Sequence, residues 1–223
     1  MKNSDLLIEL IRHLDACESG QTDNHSLSLN DFIGYLNALD GGEHAPMRKI
    51  EGDQETDSQR EKRNAPNNVS ILLVLMYRYV RIYIKKALKD SPVQTADEFS
   101  FLITLMTYES MTKTELITNQ VMEKTSGTEI IKRLLKQGLI REFADPVDKR
   151  SVRVAITEKG RKELTATFPG MNVVAKIVIG SLSQSEIKTL FYLLKKLDFY
   201  HNDIFQNKRG RSLEELSSGK SAG

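Results

Sequence analysis

A single cysteine, Cys17, is all that the 223 residues contain, so no intramolecular disulfide framework can hold the chain together. The histidines His13, His25, His44 and His201 are scattered and lack the spacing of a metal-ligand set, which argues against zinc sensing. Long hydrophobic runs are missing as well. The most apolar stretch, VSILLVLMYRYVRIYI (69–84), is interrupted by Arg78 and Arg81. It also falls short of the roughly 20 residues that a membrane span needs. The amino terminus shows no basic-then-apolar signal pattern, so a cytoplasmic protein without a membrane partner is expected. Catalytic signatures are absent too: there is no Gly-rich phosphate loop, no nucleophile elbow and no His/Glu metal motif. No catalytic residue, cofactor or metal is assigned, and the chain is expected not to be an enzyme.

What is present is ordinary in amount and uneven in placement. Hydrophobic residues make up 39% and charged residues 28%, the balance of a soluble globular protein. The net charge of +2 conceals an asymmetry: residues 1–66 carry 7 Lys/Arg against 13 Asp/Glu, and residues 67–223 carry 25 against 17. An acidic first third joined to a basic remainder suggests two modules, the second with a polyanion as partner.

Residues 1–42 read as a helical hairpin extension. Leu6, Leu7, Leu10, Ile11 and Leu14 recur at helical spacing, as do Phe32, Ile33, Leu36 and Leu39, and Gly41-Gly42 stops the second helix. Residues 43–66 are charged, apolar-poor and bracketed by prolines, the composition of a flexible linker. Beyond them helix starts become legible, because a Ser/Thr-x-x-Glu capping box recurs at Thr95…Glu98, Thr112…Glu115, Ser126…Glu129 and Ser183…Glu186. The predicted order is a long helix at 67–89, helices at 96–108, 113–119 and 126–137, and two strands, LIREFADP and SVRVAIT. A helix from 158 follows, broken at Pro169-Gly170, then a last long helix at 184–205. The tail, 206–223, reads as disordered.

The predicted fold class is therefore mainly α with a small β-hairpin wing. Three short helices followed by a β-hairpin is the layout of a winged helix-turn-helix, here at 95–165, whose third helix can enter a major groove. That helix offers Thr125, Ser126, Thr128 and Glu129 in its first turn as candidates for base edges, with Lys132, Arg133 and Lys136 suited to phosphates. The wing carries Asp148, Lys149, Arg150 and Arg153. Taken alone such a charge run is a solvated surface; behind a recognition helix it reads as a second DNA contact.

The stretch from MTKTELITNQV through GLIREFADPVDKRSVRVAITEKG, together with SLSQSEIKTLFYLLKKL, resembles the MarR (multiple antibiotic resistance regulator) family of bacterial transcription factors. The resemblance covers 67–205 and is most specific at Gly138-Leu139-Ile140, at Asp148-x-Arg150 and at Ile156-Thr157-Glu158-Lys159-Gly160. It implies a homodimer built on the helices at 67–90 and 170–205 and placed on a pseudo-palindromic double-stranded operator, with a small-molecule effector as a further partner. It also implies that Arg150 enters a minor groove while Asp148 braces it. The sequence departs from the family at Gly127, where a branched apolar residue is usual, and at Glu129, where a basic or polar one is.

Tyr77, Tyr83, Phe99 and Tyr108 are candidates for an effector pocket between the dimer helices and the winged module, with plain core as the alternative. Cys17 reads as a small packing residue rather than a peroxide sensor, since nothing near it favours a thiolate. The rival for the whole chain is a winged protein-interaction module that uses the acidic hairpin as its docking element.

Overall fold

The computed structural model describes residues 3–19, 27–44 and 65–218, and the predicted linker falls almost wholly outside them. The chain divides into two compact units, 1–64 and 65–223. In the first, α1 (Ser4–Ser19) and α2 (Leu29–His44) pack against each other. Ser28 opens α2, its side chain and backbone N–H both bonding the Asp31 carboxylate, which is held below the usual carboxylate range by these bonds. Cys17 is buried at the hairpin, while Leu6, Leu7, Ile8 and Ile11 remain exposed.

The second unit begins with α3 (Ala65–Ala87), followed by α4 (Ala96–Tyr108), β1 (Ser110–Thr112), α5 (Lys113–Asn119) and α6 (Lys124–Lys136). Then come β2 (Ile140–Ala144), β3 (Val152–Ile156), α7 (Glu158–Ile179), α8 (Gln184–Asn207) and a short α9 (Leu213–Ser217). The mainly helical class with a small hairpin wing is what the structure has. The sheet is antiparallel in the order β1-β3-β2, with Met111 opposite Val154 and Glu142 opposite Val154 on the other edge. Beyond the expected hairpin it includes the three-residue strand β1, too short to show alternation in the sequence. β1 follows Glu109, which turns the chain at φ 60°.

The core joins these elements. Phe101, Leu102 and Leu105 of α4 meet Leu116 of α5, Ile131 and Leu134 of α6, and Val154 of β3, all nearly inaccessible to solvent. Leu164 and Val174 of α7, Ile84 of α3 and Leu88 just after it complete the cluster. No single helix among the described residues is long and apolar enough to cross a membrane.

Three readings are corrected here. Pro169-Gly170 does not break a helix: α7 runs through it to Ile179. A side chain on Gly170 would begin 3.3 Å from the Ala87 Cβ, so the missing Cβ lets α7 lie close against α3. Ser126…Glu129 is not a capping box, because α6 starts two residues earlier with Glu123 at the N-cap and no side-chain cap. The tail is ordered through 218: α9 carries a full capping box between Ser212 and Glu215.

Candidate nucleic-acid interface

The helix-turn-helix is set by caps and by one tight turn. Thr112 and Glu115 cap α5 reciprocally, at 3.1 Å from Glu115 N–H to Thr112 Oγ1 and 2.7 Å from Thr112 N–H to Glu115 Oε2. These bonds keep the Glu115 carboxyl below its ordinary value. The turn into α6 passes through Val121 at φ 52°, a left-handed conformation that a β-branched residue adopts only under strain. Gln120 ties the turn to α4, its amide nitrogen donating to Thr104 Oγ1 at 2.8 Å and its carbonyl oxygen accepting from Ser100. Gly127 is explained by packing: a Cβ there would stand 2.6 Å from Ile117 Cγ1, so α6 presses on α5 where a larger residue would push it away.

On α6 the buried face is Gly127, Ile130, Ile131 and Leu134. Thr125, Ser126, Glu129, Lys132 and Arg133 are exposed, together with Lys124 at the helix start. Thr128 is half-buried and donates to the Lys124 carbonyl at 2.6 Å. Glu129 pairs with Lys132 at 2.7 Å, which lowers the Glu129 pKa. Arg133 is anchored: its Nε–H donates at 2.8 Å to Oε1 of Glu98, a carboxylate only 1% exposed. The sequence placed Glu98 in a cap and did not foresee this ion pair across 35 positions.

The wing separates its charges in the same manner. Asp145, buried at the hairpin turn, accepts from the N–H groups of Val147 (2.8 Å) and Asp148 (3.1 Å) and from Arg153 Nη1 (3.0 Å). The two backbone bonds and then the Arg153 bond hold the Asp145 carboxyl well below the usual range. Arg153 also donates to Ser110, at 3.1 Å to the hydroxyl and 2.8 Å to the carbonyl, so it staples β3 to β1. Asp148 accepts from the backbone N–H of Arg150 at 3.0 Å, which shapes the tip; its bond is to the Arg150 backbone. Lys149 and Arg150 are exposed and make no ion pair among the described residues. Asp145 is the residue that sequence reasoning missed; its signal was an Asp-Pro pair at the end of a strand.

The base of the wing is locked to the end of α6. Thr157 Oγ1 donates to the Gly138 carbonyl at 2.8 Å and accepts from Gly160 N–H, and Lys159 donates to the Gln137 carbonyl at 2.7 Å. Gly138 makes the turn at φ 69°, and a Cβ on Gly160 would fall 2.0 Å from the Leu139 carbonyl oxygen. This is why the Gly-Leu-Ile and Thr-Glu-Lys-Gly steps occur together: each needs the other's backbone.

The aromatic candidates do not converge. Tyr77 and Tyr108 are exposed, and Tyr83 and Phe99 are half-buried against the core. An open cavity of about 570 Å³ lies instead between α3 and the start of α4, lined by Arg78, Arg81, Ile82, Lys85, Gln94, Thr95 and Ala96.

Comparison with known proteins places this geometry. Residues 95–160 match the family described as winged helix DNA-binding domain. The chain is 28% identical over 147 residues to the HTH-type transcriptional repressor NicR of Pseudomonas putida, covering 64% of this chain and 92% of that repressor. It shares its fold with a MarR mutant from E. coli in complex with operator DNA, at TM-score 0.54 and 23% identity over 60% of this chain and 98% of that one. The same holds for Bordetella bronchiseptica BpsR, whose DNA binding is regulated by 6-hydroxynicotinic acid, at TM-score 0.55 and 24% identity over 59% of this chain and 98% of that one. The protein is thus a winged-helix DNA-binding transcriptional regulator. Within that class its fold is similar to that of the MarR structures.

Proposed function

We propose that the protein acts in the cytoplasm as a homodimer that occupies a pseudo-palindromic operator and changes its occupancy when a small-molecule effector binds. The observation that carries this reading is the exposed polar row of α6 beside a wing whose tip cations, Lys149 and Arg150, have no acidic partner among the described residues. Thr125, Ser126 and Thr128 at the start of α6 are short enough to meet base edges, and Lys132 serves the phosphates. Arg133 and Arg153 act indirectly, the first by fixing the orientation of α6 against Glu98, the second by stiffening the wing against Asp145. Arg150 is the wing residue assigned to the minor groove, where a narrow groove concentrates negative potential.

The dimer is supported by apolar surface that the chain leaves uncovered. Ile71, Leu72, Val74 and Tyr77 of α3 and Leu190, Phe191, Leu194 and Leu197 of α8 are exposed, and α8 buries no residue at all. Large apolar side chains left exposed along two long helices suit an interface. A two-fold partner would cover it and set two copies of α6 roughly 34–36 Å apart, one helical turn of DNA. An effector fits the same reading, as 6-hydroxynicotinic acid does for BpsR.

In vitro selection from random duplexes tests this. The expected product is an inverted repeat with half-sites about one turn apart. Recovery of no enriched sequence would overturn the operator reading and favour a protein-interaction module.

A further inference from the structure

The helix pair α1–α2 has no part in the DNA-binding reading, and α1 uses only one of its two apolar faces against α2. His13 of α1 meets Tyr35 of α2, ring centroids 6.4 Å apart, and Tyr35 lies near-parallel to Phe32. Leu10 and Cys17, about one turn to either side of His13, are half-buried and buried. The contact between the helices therefore takes the face of α1 that carries positions 10, 13 and 17. Leu7, Ile11 and Leu14 form a second stripe at i, i+4 and i+7, about a quarter turn further round the helix. They are 47%, 59% and 37% exposed, and Ile8 beside them is exposed as well. A unit of two short helices has too small an interior to cover both faces.

Alternate steps of four and three residues make the seam on which a second helix packs. Here the seam continues into acid. Glu18 falls on the same stripe one turn beyond Leu14, Asp15 borders it, and both are exposed. Arg12, the only Lys or Arg among the described residues of this unit, follows Ile11 by one position and so points off the stripe. Across residues 1–44 the sequence has 2 Lys/Arg against 8 Asp/Glu. That charge selects the occupant. A second copy of the pair would set Asp15 and Glu18 against their own kind, and like charges across a seam are penalised. A helix with leucines on one side and lysines or arginines along its edges answers both features.

We propose that the stripe of Leu7, Ile11 and Leu14 docks a basic amphipathic helix of a partner protein, with Asp15 and Glu18 pairing its cations. This surface goes beyond the DNA-binding reading and stands independently of it: the winged module suits a polyanion, and α1 suits a cationic protein segment.

The test uses the full chain and three synthetic peptides of about five helical turns. The first has Leu at the heptad a and d positions and Lys elsewhere, the second has Glu in place of Lys, and the third has Ser in place of Leu. Fluorescence anisotropy of the labelled peptides reads binding. The Leu/Lys peptide binds about tenfold or more tightly than either of the others, because only it offers both the apolar seam and the opposite charge. Ile11→Gln weakens it about tenfold and leaves affinity for the selected duplex unchanged. Asp15→Lys combined with Glu18→Lys abolishes the preference for the Leu/Lys over the Leu/Glu peptide, and keeps the test decisive if Ile11→Gln disturbs α1. Equal binding of the Leu/Lys and Ser/Lys peptides would reduce the site to bare charge attraction and overturn it. Equal binding of the Leu/Lys and Leu/Glu peptides, or insensitivity to Ile11→Gln, would overturn it as well. A wild type that sediments as a larger oligomer and loses it on Ile11→Gln would give the stripe to a second copy. A duplex affinity that rises on Ile11→Gln would give it to the chain's own winged module. Either result would overturn the proposed partner.

Discussion

The winged module and the long helices beside it treat their apolar residues in opposite ways. Phe101, Leu105, Leu116 and Leu134 of α4, α5 and α6 are fully buried, whereas Ile71 of α3 and Phe191 of α8 are 58% and 63% exposed. The module satisfies itself: α4 and α5 are capped, the wing is stapled, and the apolar face is spent on its own core. The flanking helices are regular, α8 with a full capping box, but leave their apolar faces open, as an element awaiting a partner chain would. One half of the fold is thus closed within the chain, and the other half leaves open the apolar surface on which the proposed dimer rests.

The sharpest way to break that contrast is to charge the open face. Phe191→Asp combined with Leu194→Asp should leave the winged module folded but turn a dimer into a monomer in sedimentation. Operator affinity should fall by about 10²–10⁴-fold as two-site binding is lost. A variant that stays dimeric would place the interface elsewhere. Within the module, Leu134→Ala should destabilise by about 2–5 kcal/mol in urea unfolding. Phe199→Ala, at a side chain 80% exposed, should change stability little.

The wing staple gives a pH signature. Asp145 has a folded pKa below its unfolded value, held there by the Asp148 and Val147 N–H groups and by Arg153. Its contribution is therefore fully present above the ordinary aspartate value near about 4 and is lost as pH falls through the lowered folded value. Urea stability of the wild type should drop more steeply than that of Asp145→Asn on acidification from neutral pH. Parallel curves would mean that the staple contributes nothing to stability. A gain rather than a loss is expected at the helix-turn-helix turn, where Val121→Gly relieves a left-handed backbone and should raise stability by about 1 kcal/mol.

Where the sequence was legible, local rules and tertiary structure agreed. The caps at Thr112 and Ser183 form reciprocal boxes as the Ser/Thr-x-x-Glu pattern requires; at Thr95 only half of the box forms, because the Glu98 carboxylate bonds Gln94 N–H and Arg133 instead. The apolar face of α6 lies where its periodicity puts it. What was hidden depended on contacts between distant positions. In the sequence Gly127 is only a departure from the family pattern and Pro169-Gly170 a stop; the structure sets Ile117 against the first and Ala87 across from Gly170. Arg133 and Arg153 read as DNA cations because their partners, Glu98 and Asp145, are 35 and 8 positions away. Charge alone cannot separate a cation that holds the fold from one that meets a ligand; burial and pairing can. On that criterion Lys149 and Arg150 are the wing cations left for the DNA contact we propose.

The measurement that tests this account most directly is a salt titration of duplex binding for the wild type and Arg150→Ala. Log affinity should fall steeply and linearly with log salt for the wild type, by counterion release. Arg150→Ala should weaken binding and reduce the slope by about one ion, with urea stability unchanged. Equal affinities and equal slopes for the two proteins would contradict the assignment of Arg150, and a wild-type affinity indifferent to salt would contradict DNA as the partner of this face.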